Sequence, residues 1–356
     1  MTSVNAQLRT NQPAQSAQGG AFISIIMPVR NEEACLGNLL RQLLAQEYDQ
    51  DRYEILVLDG GSTDGTRQVV EELSAIHKNL RLLDNPRRWS SAARNIGVQV
   101  ARGELVVIVD GHCEIPGDKY LRTLADAFER SGADCLGRPQ PLEAPNPSRL
   151  ERAIGLARAS AIGHHPASYI YSSQERFVPA HSVAVAYRRT VFDTVGLFDE
   201  GFDACEDVEL NHRIDRAGLR CLLVPELAVS YRPRVTLRAL FSQMIRYGRG
   251  RVRLLRKHRD TLTIRTLLPA FFVAGCICGA VAMWFSTTIA AIYLFTLAVY
   301  VLLLITTSIA IAIRHRETLL LVLLPLVFIT IHVGSGAGIL LELIFPSPTS
   351  RNPTIQ

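Results

Sequence analysis

The chain lacks any cysteine spacing that would suit a metal cluster or a disulfide framework. Its seven cysteines, Cys35, Cys113, Cys135, Cys205, Cys221, Cys276 and Cys278, are odd in number and scattered, which fits reduced and mostly buried thiols. Residues 1–20 have no apolar core behind a charged start. They are rich in Gln, Ser, Asn and Ala and read as a disordered tail, not a secretory leader. A strong excess of one charge is also missing: a net +5 over 356 residues is too small to argue for a nucleic-acid partner. No internal repeat is evident. Charge itself is sparse in one region only, after Arg265, so with 48% hydrophobic residues the chain divides into a water-soluble part followed by a membrane part.

The soluble part alternates two periods. From Phe22 a short β-branched run, Ile23-Ser24-Ile25-Ile26-Met27-Pro28-Val29, stops at Arg30-Asn31-Glu32-Glu33 and leads into an apolar-periodic stretch ending at Leu44. The same unit recurs, with strands expected over 53–58, 80–83 and 104–109 and helices over 66–76 and 90–101. Strands apolar on both faces that alternate with helices imply a parallel α/β sheet, whose ligands sit at the carboxyl ends of the strands. From Gly137 to about Phe177 Pro, Ser, Gly and His accumulate. Irregular structure or a lid-like insertion over the sheet is expected there, before regular structure resumes at Val183.

Residues 237–259 form a helical pattern in which Leu, Phe, Met and Ile alternate with many arginines, as suits a membrane surface. Three apolar stretches follow, 267–285, 289–313 and 318–345, the last holding Glu342 near its end. Each has the roughly 20 residues needed to cross a ~30 Å hydrocarbon core. Arginines and Lys257 crowd before the first stretch, Arg314 and Arg316 separate the second and third, and the 286–288 link is uncharged. The positive-inside bias then places the α/β domain in the cytoplasm and the C-terminal tail outside. The expected organisation is a disordered tail (1–20), an α/β domain (21–235), a basic amphipathic interfacial helix (236–265), three transmembrane helices (266–346) and a short tail (347–356).

Three clusters could carry chemistry. Asp59 ends the second strand before Gly60-Gly61-Ser62-Thr63-Asp64-Gly65, where a carboxylate can accept hydrogen bonds from a base or ribose and glycines let a ligand approach. A turn with Thr63 or Asp64 capping the next helix reads equally well. Asp110-Gly111-His112 follows another buried run, and carboxylate with imidazole can share a divalent ion against a diphosphate. A polar turn is the plain alternative. Glu206, Asp207 and Glu209 open a helix, either complementing its dipole or supplying a general base. His181 and His212 are the rival bases.

Taken in order, 23–33, Asp59 with Gly61-Ser62-Thr63-Asp64, Arg94-Asn95-x-Gly97, Asp110-x-His112 and Glu206-Asp207 resemble the family 2 inverting glycosyltransferases, over about residues 22–259. The membrane region, Tyr247-Gly248-Arg249-Gly250-Arg251 and His332 before Gly336 and Gly338 are similar to the succinoglycan-type exopolysaccharide glycosyltransferases. The resemblance implies a GT-A fold, a Rossmann-like, mostly parallel α/β sheet, followed by the transmembrane helical region. It implies nucleotide-sugar binding by Pro28, Arg30, Glu32, Asp59, Arg94 and Asp110, and a divalent metal, Mn²⁺ or Mg²⁺, on Asp110 and His112. Asp207 matches the catalytic base, with Glu206, Gln243 and Arg246 supporting the site or the acceptor. His112 stands where the family commonly has a second Asp, and Tyr247 where processive synthases have Trp, so the likeness does not extend to processivity.

The activity implied is transfer of a sugar from a nucleotide-sugar, a UDP-sugar foremost, to a hydroxyl of a lipid-linked glycan acceptor with inversion. It would serve extracellular polysaccharide or cell-envelope glycan synthesis at the inner membrane, with a multi-pass anchor and a cytoplasmic catalytic domain. The alternatives are a polyprenyl-phosphate sugar synthase and a non-catalytic membrane component of a glycan assembly complex.

Overall fold

A computed structural model describes residues 20–144, 146–164 and 168–346, so the two expected tails lie, apart from Gly20, outside the described residues. The alternating pattern of the first half folds as β1 (Ile23–Val29), α1 (Glu33–Leu44), β2 (Tyr53–Asp59), α2 (Thr66–Ser74), β3 (Leu80–Asp84), α3 (Ser90–Val100) and β4 (Leu105–Ile108). Then come β5 (Cys113–Glu114), α4 (Tyr120–Ser131), β6 (Cys135–Gly137), α5 (Arg149–Ala159), β7 (Arg176–Val178) and β8 (Ala184–Arg188). The soluble part closes with α6 (Arg189–Val195), α7 (Glu206–Arg216), β9 (Cys221–Leu223) and β10 (Ser230–Tyr231).

Eight strands join in the order β3-β2-β1-β4-β8-β6-β9-β7. β3, β2, β1 and β4 are mutually parallel, while β8 runs antiparallel to both β4 and β6. Successive strand residues feed opposite faces: Ile25, Met27, Ile55 and Val57 pack with Leu36, Leu40 and Leu124 on one side, and Ile26, Leu56 and Leu58 with Ala93, Phe192 and Leu210 on the other. Each such apolar side chain contributes about 1.5–3 kcal/mol on burial, so two faces of them fix the register of the sheet. Glu54 sits in this core because it is fully paired, accepting from Ser24 Oγ at 2.7 Å and from the Arg102 backbone N–H at 2.7 Å.

The stretch 137–177 is not wholly irregular. Ser148 and Glu151 form a reciprocal capping box that starts α5. Its Ala153, Ile154 and Ala157 pack not over the sheet but with Leu324, Val327 and Phe328 of the membrane region. A helix whose apolar face is covered chiefly from outside its own domain cannot be placed by its local pattern.

The basic segment forms α8 (Leu237–Lys257), and α9 (Ile264–Ala282), α10 (Thr287–His315) and α11 (Leu320–Ile344) follow. The last three are long and apolar enough to cross a membrane. α8 and α11 pack so closely that a Cβ on Gly248 or Gly338 would strike the opposing backbone at Ser335 or Ile245. α8 is also tied to α7. Lys257 Nζ lies 2.8 Å and His258 Nε2 2.9 Å from Glu209 Oε1, and Arg213 Nε donates to the same carboxylate at 3.0 Å.

Burial pushes the Glu209 carboxyl up, but the hydrogen bonds from Arg213, Lys257 and His258 outweigh it and bring it down to about 2. A carboxyl depressed on folding stabilises the protein above its ordinary range near 4.5, and that stability is lost as pH falls toward about 2. Glu209→Gln should therefore cost roughly 2–3 kcal/mol at pH 7, by removing the charge that the partly exposed Arg213, Lys257 and His258 converge on. Thermal unfolding in detergent should show a drop of roughly 5 °C, constant down to about pH 4.5 and shrinking below it.

Candidate active site

The functional side chains emerge where β1, β2 and β4 end, beside the start of α7. The loop after β1 is locked to the loop after β2: the Asn31 N–H donates to Ser62 Oγ at 2.9 Å, and the Thr63 N–H to Asn31 Oδ1 at 2.8 Å. Asn31 itself adopts a left-handed φ of 56°, which sharpens the turn out of the strand. Asp59 is buried and accepts from Ser62 Oγ at 2.5 Å and from Arg67 Nη1 at 2.9 Å. Burial pushes its carboxyl up, but those hydrogen bonds prevail and hold it below the ordinary range. Pro28 is half-buried near the end of β1, and Arg30 is exposed just beyond it.

Arg94 is the hinge of the site. Its Nη1 lies 3.1 Å from Glu206 Oε1 and its Nη2 3.7 Å from Asp110 Oδ1, with the guanidinium 5.4 Å from the Phe198 ring centroid. Burial alone would lower the Arg94 pKa, but Glu206, Asp110 and Asp207 raise it, so the guanidinium stays charged. Asn95 clasps the loop leading to α7, bonding the Phe198 carbonyl and the Phe198 N–H, both at 2.9 Å. Gly97 lets α3 press on β1, since a Cβ there would come to 2.5 Å from Ile26 Cγ2. Thus the whole Arg94-Asn95-x-Gly97 motif fixes α7 against the sheet.

Asp110 receives a 2.8 Å hydrogen bond from the Tyr231 hydroxyl. Burial works to raise its carboxyl, but Arg94, His112, Tyr231 and Arg138 outweigh that and hold it low. Arg138 is fully buried beneath, donating to the Tyr120 hydroxyl and to the Ile108 carbonyl. His112 Nδ1 meets Glu32 Oε1 at 3.1 Å, which brings Glu32 to the metal motif. Burial pushes the His112 imidazolium down, but Glu32 and Asp110 outweigh it and raise it.

The residues present fit a divalent cation. With Nδ1 fixed by a carboxylate, the ring offers Nε2 for coordination, the usual outer-sphere arrangement of a ligating histidine. Negative surroundings that favour a proton on this ring also favour a cation beside it, and Asp110 supplies an oxygen donor. Among the described residues, His212, His258 and Asp260, whose ligand atoms lie within 4.8 Å of one another, form a separate group that could hold a metal, on the face where α7 meets the end of α8.

The acidic pair divides by exposure. Cys205, with φ 67°, turns the chain so that Glu206 points into Arg94 while Asp207 is exposed, its Oδ1 accepting from the Val208 N–H at 2.8 Å. Burial and the Asp207 charge raise the Glu206 carboxyl against the pull of Arg94. The rival His181 is held by Asp215 at 2.5 Å, and with His212 it lines an open cavity of about 540 Å³ that contains none of Asp59, Asp110 or Glu206. Gln243 donates to the Tyr247 hydroxyl at 3.1 Å, and Arg246 is exposed on α8; among the described residues neither is hydrogen-bonded to Glu206 or Asp207. Tyr231 and Arg138 were not foreseen, because no motif surrounds either and both reach Asp110 across long sequence separations.

Residues 24–195 match the model of Glycosyl transferase family 2. The succinoglycan biosynthesis protein ExoA of Rhizobium meliloti (strain 1021) is 31% identical over 247 residues, 69% of this chain and 73% of that protein. A Methanococcus voltae protein is 26% identical over 245 residues, 66% of this chain and 74% of its own length. It is named dolichyl N-acetyl-alpha-D-glucosaminyl phosphate 3-beta-D-2,3-diacetamido-2,3-dideoxy-beta-D-glucuronosyltransferase. Among solved structures, the mannosyltransferase PcManGT from Pyrobaculum calidifontis, in complex with GDP-Man and Mn²⁺, superimposes with a TM-score of 0.56 at 21% identity, covering 95% of this chain and 92% of that one. With the strand-end carboxylates, the GT-A architecture and these relatives in agreement, the chain belongs to glycosyl transferase family 2 and is a glycosyltransferase with an apolar C-terminal anchor.

Proposed function

We propose that this enzyme moves a sugar, with inversion, from a nucleotide-sugar to a hydroxyl of a lipid-linked saccharide at the cytoplasmic face of the cell membrane. The observation that supports this reading is the Arg94 bridge, which joins Glu206, the sequence neighbour of the exposed Asp207, to Asp110 of the Asp110 and His112 motif. Asp59, at the end of β2, would hold the ribose or base of the donor, a UDP-sugar foremost, once Ser62 and Arg67 exchange partners with it. Pro28, Arg30 and Glu32 line the same strand ends.

Asp110 and His112 would hold a Mn²⁺ or Mg²⁺, which when bound neutralises the departing diphosphate. Asp207 takes the proton from the acceptor hydroxyl as its oxygen forms the bond to C1. The C1 to phosphate-oxygen bond breaks on the opposite face, giving a β-glycoside from an α-linked donor. Glu206, bound to Arg94, does not take that proton but keeps the helix start in place. The name of the Methanococcus relative, a transfer onto a dolichyl-linked sugar, supports an acceptor carried on a lipid.

Asp207→Asn keeps shape and removes the base. It should cut turnover by roughly 10²-fold or more with donor affinity near normal, measured by nucleotide diphosphate release in a donor screen with lipid extract. Near wild-type turnover would transfer the case to a phosphate acceptor, which needs no strong base; a sugar joined directly to lipid monophosphate would then be the product.

Chelation should abolish transfer and Mn²⁺ or Mg²⁺ restore it. His112→Asp, which supplies the commoner ligand, should retain activity with an altered metal preference. Full activity in chelator would remove the metal from the mechanism.

A further inference from the structure

The three apolar helices are not equivalent. In α11, 39% of the most apolar stretch is buried within the protein, against 11% in α9 and 6% in α10. What buries α11 is α8, α5 and the ends of α9 and α10 nearest the soluble domain: Gly336 lies against Pro269, Ile339 clusters with Ala270, the Tyr300 hydroxyl lies 2.9 Å from His332 Nδ1, and Leu304 and Ala312 cluster with Leu320 and Leu324. Just before its start, Glu317 pairs with Arg152 of α5 at 2.9 Å. At its middle, His332 Nε2 meets the Ile162 carbonyl at 2.8 Å, in the loop after α5. Towards its end Gly334 lies against Met244, Gly338 against Ile245 and Ile339 against Gly248. At the end, Glu342 lies 3.3 Å from Arg253 and 3.4 Å from Arg256.

A helix of this length runs roughly 37 Å at 1.5 Å per residue. If it crossed a bilayer, a water-soluble domain touching one end could not also touch the other. The contacts with α8 rise together along both helices, so the two lie side by side in parallel. α8 has seven cations in 21 residues, including Arg246, Arg251 and Arg256. Each would cost about 2.5–3.5 kcal/mol at the bilayer centre, so α8 stays at headgroup level. Its neighbour must stay there too.

Side-chain exposure around α11 agrees. Leu324, Val327, Phe328 and Ile331 are buried on one side, while Val322, Leu326, Ile329 and Leu343 are exposed on the other. By contrast the far parts of α9 and α10 project away as a hairpin, with no residue of 271–303 buried. Tyr300 lies against Phe272 with centroids 4.5 Å apart and the rings tilted by 40°, Tyr293 donates to the Cys276 carbonyl at 3.2 Å, and the tip residues Trp284 and Phe285 are 85% and 83% exposed. Arg265 at the hairpin's beginning and Arg314 and Arg316 at its close mark the same side of the membrane.

We infer that only the α9–α10 hairpin enters the bilayer, and that α11 lies flat on the membrane surface with its apolar face on lipid. Residue 346 then returns to the side of the catalytic domain, in contrast to the three crossings expected from hydropathy. α11 is thus the floor on which α5 and α8 rest, and the partner of its outer face is the lipid bilayer. The inference concerns sidedness relative to the domain and is independent of the donor, acceptor and base.

The test uses the full chain in cells, with paired fluorescent-protein and alkaline-phosphatase fusions after Gln356 and after Thr287. Fluorescence without phosphatase activity at Gln356 is expected; phosphatase activity there would overturn the inference. Phosphatase activity at Thr287 is expected from a hairpin that crosses, and fluorescence at both points would support a surface α11 with a re-entrant hairpin. As a check without a fusion, Ser347→Cys should resist a membrane-impermeant maleimide in intact cells, above the background of the unaltered chain, and react in inverted vesicles. Labelling in intact cells would place α11 across the membrane.

Discussion

A buried guanidinium has to be answered by negative charge, and the site is organised around that requirement. Arg94 is almost without solvent, as is Glu206, and only the partly open Asp110 has another route to neutrality. Leaving a buried charge unpaired costs several kcal/mol, so Arg94 binds the end of β4 and the start of α7 into one unit. Two distant parts of the chain, each acidic, are held together against their own repulsion. In the proposed reaction, that arrangement lets a leaving-group site and a proton acceptor share one small space before any substrate arrives. Pre-positioned groups of this kind are what a displacement at carbon needs, since the alternative is to assemble them in the transition state.

The same logic extends to the membrane. α8 touches the loop before α7 at Gly250, where a Cβ would come within 2.8 Å of Ala204 O and Cys205 Sγ. Arg253 pairs both with Asp203 of that loop and with Glu342 of α11. Lys257 and His258 reach Glu209 one turn into α7. These links from the anchor to the soluble domain end within a few residues of Asp207. A flexible tether would need none of them. The links instead make the position of the acidic pair depend on α8.

Much of this was legible in the sequence, for reasons that are local. The buried runs 23–29, 53–59 and 105–108 are apolar on both faces and so could only be interior parallel strands, and their ends place Asp59 and Asp110 on one edge. The rest depends on pairing between distant segments. Tyr231 reaches Asp110 because β10 pairs with β5, two strands of two residues each that no periodicity reveals. Arg138 resembles a loop arginine until its burial under Tyr120 is seen. Glu32 was assigned to the nucleotide, yet its carboxylate meets His112 across the loop. Hydropathy recorded that α11 is apolar but not that half of its circumference is covered by protein, because composition is blind to what a helix packs against.

In the proposed reaction, these constraints favour an acceptor that is already in the membrane. The Cys205 turn that exposes Asp207 is pressed against α8, and α8, whose cations we place at the level of lipid headgroups, is the element next to it. A sugar hydroxyl on a lipid carrier sits a short distance above that plane, within reach of the base without leaving the surface. A soluble acceptor would have to be ordered entirely by its own contacts with the protein. For a lipid-borne acceptor, confinement to the surface has already removed most of that translational freedom. The tight packing of glycines between α8 and α11 then has a functional sense: it holds the base at one height above the bilayer, so that the acceptor's depth in the membrane and the enzyme's geometry agree.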